Sequence, residues 1–142
     1  MIFLNDDDFN QAFNERIKGL ILDAYSLEEL EMSAVQMAKG RLGRKFDLYQ
    51  IFSKRGNERD AELVTHLVSI VAFKAWKVEA PSRVPKFVVE DYEEAKEFLE
   101  RVSLPDDDVE ALFTNLPIKI IDGIELSAKF LGKSQTKYDS RF

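Results

Sequence analysis

Residues 61–78 read AELVTHLVSIVAFKAWKV. Val64, Leu67, Val68, Val71 and Ala75 recur at the spacing of one face of a helix. Ile70, Phe73 and Trp76 lie off that stripe, and with Leu63 and Val78 the segment is apolar around most of its circumference and needs more than one partner. His66, Lys74 and Lys77 interrupt it. A membrane span takes about 20 uninterrupted apolar residues, so the stretch predicts the central helix of a small soluble helical domain.

The rest of the 142 residues fits one domain with an arm at one end. Apolar residues at 45% supply a core, and charged residues at 32% supply a surface. With no cysteine, disulfides, thiolate zinc sites and cysteine nucleophiles are excluded; with one histidine, a zinc site would need several carboxylates as well. The opening MIFLNDDDF lacks a basic region followed by a long apolar run, so no signal peptide is expected and an intracellular location is the default. A net charge of −6 argues against general nucleic-acid binding, which draws its affinity from cations on phosphates. It permits a protein that lines a channel through which DNA slides.

Taken in order, Asn5 is placed to cap a first helix, with Asp6, Asp7 and Asp8 in its first turn, Leu4 stapled onto Phe9, and Phe13, Ile17 and Leu20 extending the stripe. Three adjacent aspartates lack the alternate spacing and central glycine of a common calcium loop. Ser26-Leu27-Glu28-Glu29 is a capping box for a second helix reaching about Phe46, with Leu27, Leu30, Ala34, Met37, Ala38 and Leu42 inward. Gly40 and Gly43 suggest a close approach or fraying near its end. Lys39, Arg41, Arg44 and Lys45 complement the negative end of that helix or form a patch for an acidic partner or phosphate.

Residues 47–59 read as a linker, although Leu48, Tyr49, Ile51 and Phe52 are too apolar for a solvated loop and should fold onto the core or meet a neighbouring subunit. Asn57 or Asp60 starts the central helix, Pro81 closes it, and Pro85 sits at the first position of the next. Val88, Tyr92, Ala95, Leu99 and Val102 make that helix's inner stripe, and its glutamates read as a solvated face. Beyond residue 104 an extension is expected. It comprises a short helix or turn over Asp106–Phe113 with an acidic start, a candidate hairpin at 118–127 about Asp122-Gly123, and a polar arm at 131–142. The fold class is therefore mainly α, a four-helix-type bundle around the central helix.

No glycine-rich phosphate loop, nucleophile elbow or zinc-protease motif is present. His66 has no evident nucleophile to serve and reads as a structural or edge histidine, so no enzyme and no cofactor are expected.

The order of these features is itself informative: a DDDF helix, a capped helix running into Ala38-Lys39-Gly40-Arg41-Leu42-Gly43-Arg44-Lys45-Phe46-Asp47-Leu48, the apolar helix, Arg83-Val84-Pro85 with a helix through Tyr92, Glu94-Ala95 and Leu99, and the ending GKSQTKYDSRF. It resembles a family of small Mu-like prophage proteins of unknown function, which looks related to the head–tail connector, or head-completion, adaptors of tailed phages. The resemblance implies a helical adaptor without cofactor or reaction, docking below the portal as a homo-oligomeric ring and meeting portal and tail-completion proteins. The implied location is the bacterial cytoplasm during assembly and then the virion neck, with no membrane and no specific nucleic acid. Ring contacts join unlike patches of neighbouring copies. Leu48, Tyr49, Ile51 and Phe52 are expected to contribute to them, with Lys133, Lys137, Tyr138, Arg141 and Phe142 of the arm. A monomeric regulatory protein that binds a host partner is the alternative of a different class.

Overall fold

A computed structural model of the chain describes residues 1–15, 18–19, 27–121 and 124–125. Among these residues, five helices organise the fold: α1 (Asp6–Ala12), α2 (Leu27–Leu42), α3 (Leu48–Phe52), α4 (Ala61–Glu79) and α5 (Lys86–Val102). The apolar stretch is the long α4, and α1, α2 and α5 all pack against it. The molecule is mainly helical, as the hydrophobic periodicity predicts. Leu63, Leu67, Val68, Ile70, Val71, Ala72 and Ala75 of α4 are buried. Ile70, which lies off the main stripe, is therefore covered too. Phe73 is covered differently, by stacking on Tyr92 of α5 with ring centroids 4.0 Å apart and planes at 6°.

Capping decides where several helices begin. Asn5 accepts from the Asp8 N–H at 3.1 Å while the Asp8 carboxylate accepts from the Asn5 N–H at 2.8 Å, a reciprocal box at the start of α1. Asp60, one of the two residues expected, caps α4 through the Leu63 N–H at 2.8 Å. Pro85 stands one place earlier than expected, as the cap of α5 rather than its first residue. Ser26 lies outside the described residues, as do Ile17 and Leu20.

Two expectations need correction, and one open choice is decided. The second helix stops at Leu42 and not near Phe46. A side chain at Gly43 would stand 2.9 Å from the Lys39 carbonyl oxygen and 3.3 Å from Leu48 Cδ1, so the chain turns there in space only glycine leaves open. The linker over 47–59 contains α3, capped by Asp47 on the Gln50 N–H, followed by a 3₁₀ turn at Gly56–Glu58 that begins on Gly56 at φ 59°. Asp106–Phe113 forms turns and no helix. Asp108 accepts the Glu110 N–H at 2.9 Å, a local bond that competes with helical pairing.

Residues 112–119 run back along the helices. Leu116 is buried in the common core, Phe46 and Ile118 form an antiparallel bridge, and the Asp47 and Lys119 N–H groups donate to Pro117 O and Lys45 O at 2.9 Å each. Ile120–Ile121 (β1) pairs antiparallel with Ile124–Glu125 (β2). The expected turn residues Asp122 and Gly123, the remainder of the hairpin region, and the arm lie outside the described residues.

The N-terminal segment is tied down by two polar devices. In one, the Glu31 carboxylate accepts the N–H groups of Ile2, Phe3 and Leu4 at 3.0, 2.8 and 2.7 Å. In the other, Arg59 forks onto Asp8 at 2.7 and 2.9 Å and reaches Phe3 O at 2.7 Å and Gly56 O at 2.8 Å. Both side chains of that ion pair are nearly buried. A lysine cannot reproduce a planar fork. Arg59→Lys is expected to lower stability by about 1–2 kcal/mol, the scale of lost charge-assisted hydrogen bonds. Urea denaturation of Arg59→Lys, Asp8→Asn and the double variant checks this; costs that simply add would deny the coupling.

Candidate interaction surfaces

The apolar residues of α3 divide by burial. Ile51 is 4% exposed and belongs to the core, while Leu48 and Phe52 are half-buried and pack against it. The Phe52 ring meets Phe3 at 5.0 Å between centroids and lies under the Lys39 ammonium at 5.4 Å. For these three, folding back on the core answers most of the apolar demand seen in the sequence. Tyr49 differs: it is 81% exposed. The remaining expected contact residues, Lys133, Lys137, Tyr138, Arg141 and Phe142, lie outside the described residues.

Two further apolar patches escaped the sequence reading. One is a groove of about 340 Å³ between the N-terminal segment, the outer face of α2 and α3. Ile2 and Met32, at 75% and 63% exposure, stand on it, with Val35 and Phe52 in its wall. Met32 lies off the inward stripe of α2, and that was the only signal available. The other patch is the loop after α5, where Val109 and Phe113 are 97% and 89% exposed. Backbone contacts fix this loop. The Leu112 N–H donates to Arg101 O at 3.1 Å, the Arg101 Nε–H donates to Glu110 O at 2.7 Å, and the Lys45 ammonium holds Asp106 at 2.6 Å.

The basic end of α2 also resolves unevenly. Lys45 is buried, and its ammonium donates to Val102 O, Leu104 O and Asp106. It therefore complements the end of α5 rather than offering a surface cation. Arg41 and Arg44 are exposed and line a cleft of about 580 Å³ with Arg101 and the C-terminal end of α5.

A last cleft, of about 540 Å³, lies among α1, α4 and α5 and contains His66, Asp91 and Glu94 beside the Arg59–Asp8 pair. His66 stacks on Phe98 at 4.3 Å and 24°. Burial pulls the imidazole below its ordinary pKa, against the nearby Glu62, Glu94, Asp60 and Asp91 carboxylates. Burial first, then Glu94 and Glu90, raises Asp91. The cleft's hydroxyls face backbone: Thr65 donates to Ala61 O at 3.0 Å and Ser69 to Thr65 O at 3.2 Å. Nothing in this geometry pairs a nucleophile with His66.

A group whose folded pKa is depressed contributes stability above its unfolded pKa and loses it as pH falls through the folded value. The native protein is thus expected to lose part of its stability below about pH 6.5, as His66 charges in a half-buried stack. Asp91, raised, opposes this at lower pH, where its protonation favours the folded state. Because the chain has one histidine, an NMR titration reads the imidazole directly. A native midpoint at or above 6.5 would contradict the prediction.

Among the described residues no group of three or more His, Cys, Asp or Glu side chains is arranged to hold a metal ion, and no helix is long and apolar enough to cross a membrane. No family model, curated protein or solved structure matches the chain.

Proposed function

We propose that the protein is a non-catalytic phage adaptor of the head–tail connector kind, assembling as a ring at the portal and meeting portal and tail-completion proteins. The observation that carries the reading is the anchored loop after α5. Hydrogen bonds hold it to the bundle while Val109 and Phe113 remain almost wholly in water. Large apolar side chains displayed on a fixed support suit a surface that another chain covers. Tyr49 adds an exposed aromatic of the type favoured at interface centres. The order of sequence elements, which resembles connector-related prophage proteins, gives the partner class. Assembly in the bacterial cytoplasm followed by residence in the virion neck completes the proposal.

Quantitative mass spectrometry of purified virions tests it. A fixed copy number matching a single ring, with the protein imaged at the neck, is the expected result. Absence from particles that contain portal and tail proteins would overturn it and favour a regulatory protein that binds a host partner.

A further inference from the structure

We infer that the loop bearing Val109 and Phe113 of one copy seats in the groove of Ile2, Met32, Val35 and Phe52 on the next copy. The inference rests on the ring reading above and names the patches that close it. Groove and loop share no residue, so one copy can receive a neighbour's loop on one side and give its own loop to another copy, a heterologous contact that propagates around a ring rather than ending at a pair.

Size and chemistry match. The groove's volume of about 340 Å³ is at the small end of clefts that seat ligand-sized groups, enough for one aromatic anchor with an aliphatic neighbour. Phe113, 89% exposed, has nearly all its ring surface available for burial, and an aromatic side chain of this kind buries about 150–250 Å². Both walls of the groove are held rigidly: Glu31 fixes the N-terminal segment, and Phe52 is wedged between Phe3 and Lys39. The loop is rigid as well, so little conformational freedom is lost when the two meet.

Charge sets the direction of docking. The loop is acidic, with Asp106, Asp107, Asp108 and Glu110 flanking Val109. The groove carries Lys39 at its Phe52 end, while Glu28 at its other end is paired with the Met1 ammonium at 3.4 Å. The acidic loop therefore lies toward Lys39.

The absence of native cysteine makes the test clean. Gln36→Cys lines the groove and Asn115→Cys adjoins Phe113, and both replaced side chains are exposed. In a full-length chain carrying both, mild oxidation at high concentration is expected to give a ladder of dimers, trimers and larger species. Adding Phe113→Asp should reduce the ladder about tenfold, the effect of losing an interface anchor. A pair at Gln36→Cys and Glu97→Cys measures random collision. Yields equal to that control, or unchanged by Phe113→Asp, would overturn the inference. A ladder from a protein absent from virions would leave this contact standing and remove the connector reading; a virion protein with no ladder would do the reverse.

Discussion

Glu31→Ala is expected to lower stability by about 3 kcal/mol or more and to release the first residues of the chain from the bundle. The Glu31 side chain occupies the position on α2 where the apolar N-terminal segment crosses it, and its residue is 5% exposed. A carboxylate there would be strongly destabilising if unpaired. It is instead matched by three backbone donors, from Ile2, Phe3 and Leu4, at 2.7–3.0 Å. Those donors have no ladder or helix partner of their own, so the carboxylate acts as a short length of neighbouring strand. Alanine leaves them unsatisfied, and the segment can recover hydrogen bonds only by moving into water. That movement also exposes Phe3 and Leu4, which are 5% and 2% exposed in the native protein. Each apolar side chain of this size is worth about 1.5–3 kcal/mol when fully buried. Glu31→Gln should cost less, because one acceptor oxygen remains. Urea denaturation gives the stabilities, and hydrogen exchange at Ile2–Leu4 gives the local release. A loss below about 1 kcal/mol, or unchanged exchange, would show that the carboxylate does not anchor the segment.

Lys45→Met is expected to cost about 2–4 kcal/mol, although it exchanges a buried cation for an apolar chain of similar length. All three ammonium donors are used, on Val102 O at 3.1 Å, Leu104 O at 2.8 Å and Asp106 at 2.6 Å. Two of the acceptors are main-chain carbonyls at and just beyond the end of α5, where intrahelical partners run out. Methionine would leave them facing a dry contact. Asp106 is a lesser partner: its side chain is 51% exposed, so Asp106→Ala should cost below about 1 kcal/mol. The comparison separates the carbonyl contacts from the ion pair. Equal losses for the two variants would mean that the ion pair dominates. Faster exchange at the Leu112 N–H, which donates to Arg101 O in the attached loop, is expected only for Lys45→Met.

The same two residues mark where the sequence stops being readable. A lysine four places from arginine and next to another, at the end of a helical pattern, is indistinguishable by type from a solvent-facing cation complementing the helix dipole. Its burial depends on the loop at 102–106, more than fifty residues away, wrapping over it. Glu31 sits among Glu28, Glu29 and Met32 in a stretch whose charge suggests solvent. Its burial depends on an irregular N-terminal segment that leaves no periodic trace. The exposure of Val109 and Phe113 is hidden in the sequence for a related reason. The acidic residues before them suit a helix start, but an Asp108 side-chain bond closes a turn first, and no distant surface covers the two apolar groups.

The sequence by itself determined the helical class, the central position of the apolar helix and the inner stripe of α5, and narrowed the cap of that central helix to Asn57 or Asp60. These follow from periodicity and capping, which act between residues a few positions apart and are written locally in the chain. Tertiary structure alone decided which α3 residues stay exposed, that Lys45 and Glu31 are buried, and that an apolar groove and an apolar loop stand on separate surfaces. Each depends on contacts between segments distant in the chain, whose closure is fixed by the summed packing of the whole core and not by any local pattern.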